Sequence, residues 1–197
     1  MPADDALRDR LVRVGAELLR TGSPEALSLR EIARRAGVSH GAPRRYFPTH
    51  LSLLSAIARS GYADLSAQVT AALLAASPDP REQIATIAHL YVRFAATNRG
   101  MFELMFRHDL LQSGYLGLRD DALPLFRLLV DQVAAARPAS GPLAAPPAET
   151  TAAAIWSALH GVAELWNWGS LTLATRATDP APFIDAVLDA HLGPPAH

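Results

Sequence analysis

Apolar residues recur at helical spacing along almost the whole chain. Leu7, Leu11, Val14 and Leu18 share one face of a first helix, with Arg8, Arg10, Arg13, Glu17 and Arg20 turned away. Gly22 and then Pro24 end it, glycine because it accepts the left-handed turn and proline because it cannot continue the helix. Ser28-Leu29-Arg30-Glu31 reads as a capping box, serine at the cap and glutamate three residues on, and opens a short helix that Gly37 stops near Ala36. Ser39 is placed to cap a further brief helix reaching about Phe47, with Pro43 early in it.

The same periodicity predicts a long helix over about 49–76, broken by Ser77-Pro78-Asp79-Pro80, then helices over about 81–98, 101–108 and 116–136, the last containing Pro124. Residues 137–148, RPASGPLAAPPA, carry four prolines and read as a connector. Two more helices follow, at about 149–168 and 180–192. No segment alternates with the period of a strand, so the expected fold is all-α, with about nine helices.

Length and composition narrow this further. The chain has 197 residues, half of them hydrophobic and 19% charged, a globular composition. No apolar run approaches the ~18 residues of a membrane span, and the opening MPADDALRDRL has no apolar core of a signal sequence. The expected compartment is the cytoplasm, with no membrane partner. Zero cysteines exclude disulfides and thiolate chemistry. The net charge of −1 conceals an asymmetry, because residues 27–50 hold Arg30, Arg34, Arg35, Arg44 and Arg45 against the single acid Glu31. Every basic residue is arginine.

Residues 28–47 thus combine helix, Gly-Val-Ser turn and second helix with a local basic excess. Leu29, Ile32, Ala33, Val38 and Phe47 are spaced to close a small core against the first helix. Such a helix-turn-helix lets one helix brace on a DNA backbone while the next enters the major groove, and the arginines supply the phosphate attraction. Short helices at a glycine turn are common, and a charged face can be merely solvated. The cap, the turn and the arginines together favour double-stranded DNA as a partner.

The stretch ALSLREIARRAGVSHGAPRRYFPTHLSLLSAIA resembles the N-terminal DNA-binding domain of TetR-type transcriptional regulators, over residues 7–57. Trp156, His160 and Gly161, in IWSALHGVAEL, resemble a Trp…His-Gly signature of one subgroup's C-terminal domain. The resemblance implies a helix-turn-helix domain over residues 1–50 and a helical effector-binding and dimerisation domain over 51–197, linked by the helix at 49–76. It also implies contacts. Ser28 would meet a phosphate and Arg30 a base edge, while His40, Gly41 and Arg45 would face the groove, with Ala42 close to the DNA and Ser39 among the DNA-binding residues. Arg44, Tyr46 and His50 would lie at the backbone. The chain departs from the family pattern in three places: Arg44 stands where tyrosine is usual, Pro43 where an aliphatic residue is usual, and His50 where a lysine is usual.

Other chemistry competes for some of these residues. Gly37-Val38-Ser39-His40-Gly41 matches the G-x-S-x-G elbow of serine hydrolases, but that elbow needs a strand before it, and LREIARRA reads as helix. The seven histidines include no H-x-x-x-H pair, so no metal and no other cofactor is expected. His160 and Glu164, four apart on one face, suit a hydrogen-bonded pair, a pH-sensitive polar spot or two ligands. His89, Phe94, Phe102, Met105, Phe106, Trp156, His160 and Glu164 are candidates to line a largely apolar effector pocket, and aromatic stripes of this kind equally fill cores; His108 is a further polar candidate. The helix at 149–168 is apolar on two faces, one with Ile155, Leu159, Val162 and Trp166, the other with Trp156, His160, Ala163 and Asn167. With the last helix it is the expected homodimer interface. The expected protein is a ligand-responsive repressor, not an enzyme, that binds a palindromic operator as a dimer and is released by a small apolar effector. The alternatives are a helical carrier without DNA binding and a hydrolase using Ser39.

Overall fold

The computed structural model describes residues 3–107, 118–136 and 146–193; His108 and most of the proline-rich connector lie outside them. The described residues contain no strand. Among them nine α-helices run in the order α1 (Ala3–Leu19), α2 (Leu29–Arg35), α3 (His50–Ala75), α4 (Pro80–Thr97), α5 (Arg99–Phe106), α6 (Leu118–Ala136), α7 (Ala148–Asn167), α8 (Ser170–Thr175) and α9 (Ala181–Leu192). The chain forms two compact units, residues 1–64 with 98–122 and residues 65–97 with 123–197.

In the first unit, α1 buries Leu11, Gly15 and Leu19, a stripe centred differently from the Leu7–Leu11–Val14–Leu18 face that the sequence predicts. The reason is Gly15. A Cβ there would meet the Ile57 side chain, 2.9 Å from its Cγ1, so α3 crosses α1 at a position hydrophobicity alone does not mark. Ile32, Ala33, Phe47 and Leu53 complete this core. The first turn of α5 lies equally close to α1, because a Cβ on Gly100 would fall 2.6 Å from the Leu19 carbonyl oxygen and closer still to that of Gly22. Tyr62 of α3 donates its buried hydroxyl to the Met105 carbonyl at 2.8 Å, fastening the other end of α5.

In the second unit, α4 packs against both α7 and α9. Ile84, Ala88, Val92 and Phe94 meet a core shared with Ile155, Leu159, Ala163, Ile184 and Leu188. Leu159 is therefore an internal residue of the subunit. Polar ties surround this core: Arg81 bonds Asp189 at 2.6 Å, His89 Nε2 lies 3.0 Å from Asp185, and Asn167 donates to the Ala95 carbonyl at 3.2 Å. Asp79 caps α4 by accepting from the Glu82 N–H at 3.0 Å, with Pro80 at the first helical position.

Two local expectations are corrected. The segment beginning at Ser39 is one turn of 3-10 helix, Ala42–Arg45, rather than a short α-helix. Pro43 has no N–H to give the Ser39 carbonyl; Ala42 to Ser39, Arg44 to Gly41 and Tyr46 to Pro43 form the tighter bonds instead, and the wider spacing returns only at Phe47, which also donates to the Pro43 carbonyl. The residue at its cap position is Gly41, without a side-chain bond, so Ser39 does not cap it. Beyond α7, Gly169 at φ +76° turns the chain into α8, a helix too short to leave a period in the sequence.

Candidate nucleic-acid interface and effector centre

The Ser28 hydroxyl accepts the Glu31 N–H at 3.1 Å, as the capping box requires. The Glu31 carboxylate then turns along the helix instead of back to the cap. It receives Arg34 at 2.7 and 2.8 Å and Arg35 at 2.9 Å. Hydrogen bonds from these two guanidinium groups lower the Glu31 carboxyl to about 2. Gly37, at φ +67°, ends α2, a backbone angle that favours glycine.

Two of the five local arginines are thus engaged by Glu31. Arg30, Arg44 and Arg45 are exposed and have no ion-pair partner among the described residues. Ser28, Ser39, His40, Gly41 and His50 are exposed with them, and Ala42 and Tyr46 are half-buried. Pro43 within the 3-10 turn and Phe47 just beyond it are buried, so the turn is anchored at both ends while its arginines face solvent. Thr49, for which the sequence pattern predicts no capping role, caps α3 reciprocally: the Ser52 N–H donates to its hydroxyl at 3.0 Å and its own N–H to the Ser52 hydroxyl at 3.2 Å. A Thr-x-x-Ser spacing is the signal that could have found it. The residues before Ser39 are helix α2, so the strand that a serine-nucleophile elbow requires is not what precedes it.

The candidate effector residues divide between the units. Phe102 and Met105 are buried in the first, where the Phe106 ring lies 6.0 Å from Tyr62 and 4.8 Å from Phe102. His89, Phe94, Trp156, His160 and Glu164 belong to the second. There Trp156 Nε1 donates to the Tyr91 hydroxyl oxygen at 3.1 Å, and the same hydroxyl lies 2.8 Å from His160 Nδ1. With the indole as donor, the Tyr91 hydrogen is left for His160, whose Nδ1 accepts it in the neutral ring. Burial lowers the His160 pKa and so supports that neutral form. The Phe126 ring flanks Trp156 at 6.0 Å. Phe94 is core, His89 is paired with Asp185 at the surface, and Glu164 is half-buried one turn beyond His160. Tyr91, the centre of this chain of bonds, is 65 and 69 residues from its partners, and no local pattern announces it.

On α7 and beyond, Ala154, Ser157, Leu165 and Trp168 are exposed at helical spacing, Trp168 to 71%. Gly161 lies on this stripe with nothing within 4 Å of where a Cβ would be. No group of three potential metal ligands occurs among the described residues, and none of their helices is long and apolar enough to cross a membrane.

The sequence description of bacterial regulatory proteins of the tetR family matches residues 11–57, and that of the tetracyclin repressor-like C-terminal domain matches residues 84–191. A protein with unknown function from Rhodococcus sp. RHA1 is 28% identical over 94% of this chain and 93% of its own, with a TM-score of 0.78. A candidate regulatory protein, SCO4313, is 25% identical over 98% of this chain and 100% of its own, with a TM-score of 0.73. RolR in complex with resorcinol shares the fold at 20% identity, over 95% of this chain and 88% of its own, with a TM-score of 0.63. No protein in the curated set matches.

Proposed function

The chain belongs to the TetR family of DNA-binding regulators, and from that premise we propose that it is a cytoplasmic repressor that binds a palindromic operator as a homodimer. The observation that carries this reading is the 3-10 turn with Arg44 and Arg45 exposed, beside an exposed Arg30 on α2. Residues 1–50 would be the reading head. Arg30 and Arg45 would reach base edges, with Ser39, His40, Gly41 and Ala42 against the groove. Ser28, Arg44, Tyr46 and His50 would hold phosphates.

Residues 51–197 would sense the effector and join two copies. The outward stripe of α7, with Gly161 allowing close approach, and the adjoining α9 are the proposed two-fold interface, matching the symmetry of a palindrome. The effector would be a small, largely apolar molecule oriented by Tyr91, Trp156 and His160, and resorcinol, the ligand held by RolR, is the first compound to try. By binding more tightly to a dimer whose heads do not match the half-site separation, it would weaken operator affinity.

The test is salt-titrated binding to operator and scrambled duplexes. Arg30→Ala and Arg45→Ala should relax preference at particular base pairs and cost ~1–3 kcal/mol on the operator, while Arg44→Ala weakens both duplexes alike. Equal loss on both duplexes for Arg45→Ala would refute its assignment to a base.

A further inference from the structure

Arg8 breaks the pattern of its own helix. At 100° per residue it lies within about 20° of Gly15 and Leu19 around α1, in the middle of the buried stripe. An apolar residue would continue that stripe, yet the chain places a guanidinium there. Its Cζ stands 5.6 Å over the centre of the Phe47 ring. Phe47 is 2% exposed and closes the turn that carries Arg44 and Arg45, just ahead of α3, which begins at His50. A flat cation over an aromatic face is held in place without being neutralised. The nearby carboxylate, Asp9, is 3.6 Å away and itself 60% exposed, a loose pairing that water screens. Arg8 keeps 48% of its side chain in solvent. It also precedes the matched helix-turn-helix region, which starts at residue 11.

We infer that Arg8 is a further DNA-contacting residue, a phosphate-binding guanidinium that α1 contributes from outside the helix-turn-helix. Phe47 orients the side chain beside the reading turn, and a guanidinium presents paired donors to a phosphate. The contact is sequence-independent, so its signature is salt dependence and not base preference. The inference rests on the DNA-binding reading of residues 28–50.

The experiment uses the full chain and a labelled mixed-sequence duplex of about 30 base pairs, titrated from about 50 to 200 mM salt. Arg8→Gln and Arg8→Met both remove the charge, and the Met variant keeps an apolar stem over Phe47. Each should retain the wild-type thermal midpoint, and each should flatten the plot of log affinity against log salt by about 0.9 for each protomer bound. The wild-type advantage should then shrink about 3.5-fold per protomer across that salt range. Arg8→Lys should keep the wild-type slope. Wild-type slopes in Arg8→Gln and Arg8→Met would overturn the assignment of Arg8 alone. Should the wild-type chain itself show no salt-dependent binding, the DNA reading of the turn fails, and the role of Arg8 with it.

Discussion

Gly100→Ala tests how the first unit is held together. Alanine ordinarily favours a helix over glycine by ~1 kcal/mol, so propensity alone forecasts a gain. The structure forecasts a loss. A Cβ at residue 100 would meet the carbonyl oxygens of Leu19 and Gly22, both backbone atoms that cannot rotate aside. Relieving the overlap needs a shift of roughly 1 Å between α5 and the end of α1. Phe102, Leu104 and Met105, all buried, would move with α5 and lose packing. Overpacking of this kind costs ~1–3 kcal/mol, and an unyielding backbone neighbour puts this site at the upper end. Set against the propensity gain, the net is a destabilisation of about 2 kcal/mol, or about 4–8 °C in Tm for a chain of this size. Urea titration followed by far-ultraviolet circular dichroism measures it. A Gly100→Ala protein as stable as wild type, or more so, would show that α5 does not sit on α1 this closely.

Three further outcomes follow from named contacts. Glu31→Gln frees Arg34 and Arg35 and removes the only acid of residues 27–50, so DNA affinity should rise and its salt dependence steepen; salt-titrated anisotropy reads both. His160 has a folded pKa below 6.5, so the unfolded chain takes up its proton first; the stability is present above that pH and falls as the pH drops through 6.5. His160→Gln should lessen that fall in urea midpoint between about pH 7.5 and 5.5. Trp168→Asp changes a side chain exposed in the single subunit, so helicity should hold and the subunit's own fold should lose no more than ~0.5 kcal/mol while sedimentation reports a monomer; a Trp168→Asp dimer would place the interface elsewhere.

Local signals in the sequence carried the helices that bury a regular stripe and the caps that begin them. Ser28 caps α2 as its spacing demands, and Asp79 and Pro80 start α4 at the Ser-Pro-Asp-Pro break. Three features escaped, each for a physical reason. The helix predicted from Ser39 is a 3-10 turn, because one missing N–H at Pro43 changes the hydrogen-bond register, whereas periodicity records only side chains. The buried stripe of α1 runs through Gly15, which hydropathy does not count, and this also hid the unusual position of Arg8. The Trp156–Tyr91–His160 chain of bonds depends on the packing of α4 on α7, which no single-helix pattern encodes. The arginines of the reading turn were legible as a charge cluster; that Glu31 engages two of them and leaves Arg30, Arg44 and Arg45 outward was not.

On the proposed reading, two copies of residues 28–47 read two halves of one site. The direct measurement is to incubate the purified protein with fragmented genomic DNA, sequence what it retains, and repeat with the Arg45→Ala variant. The expected result is enrichment of a palindrome with half-sites on one side of the duplex, about one helical turn or a multiple of it apart, and loss of that enrichment in the variant. Retention without a shared motif, or a motif with no two-fold symmetry, would contradict it.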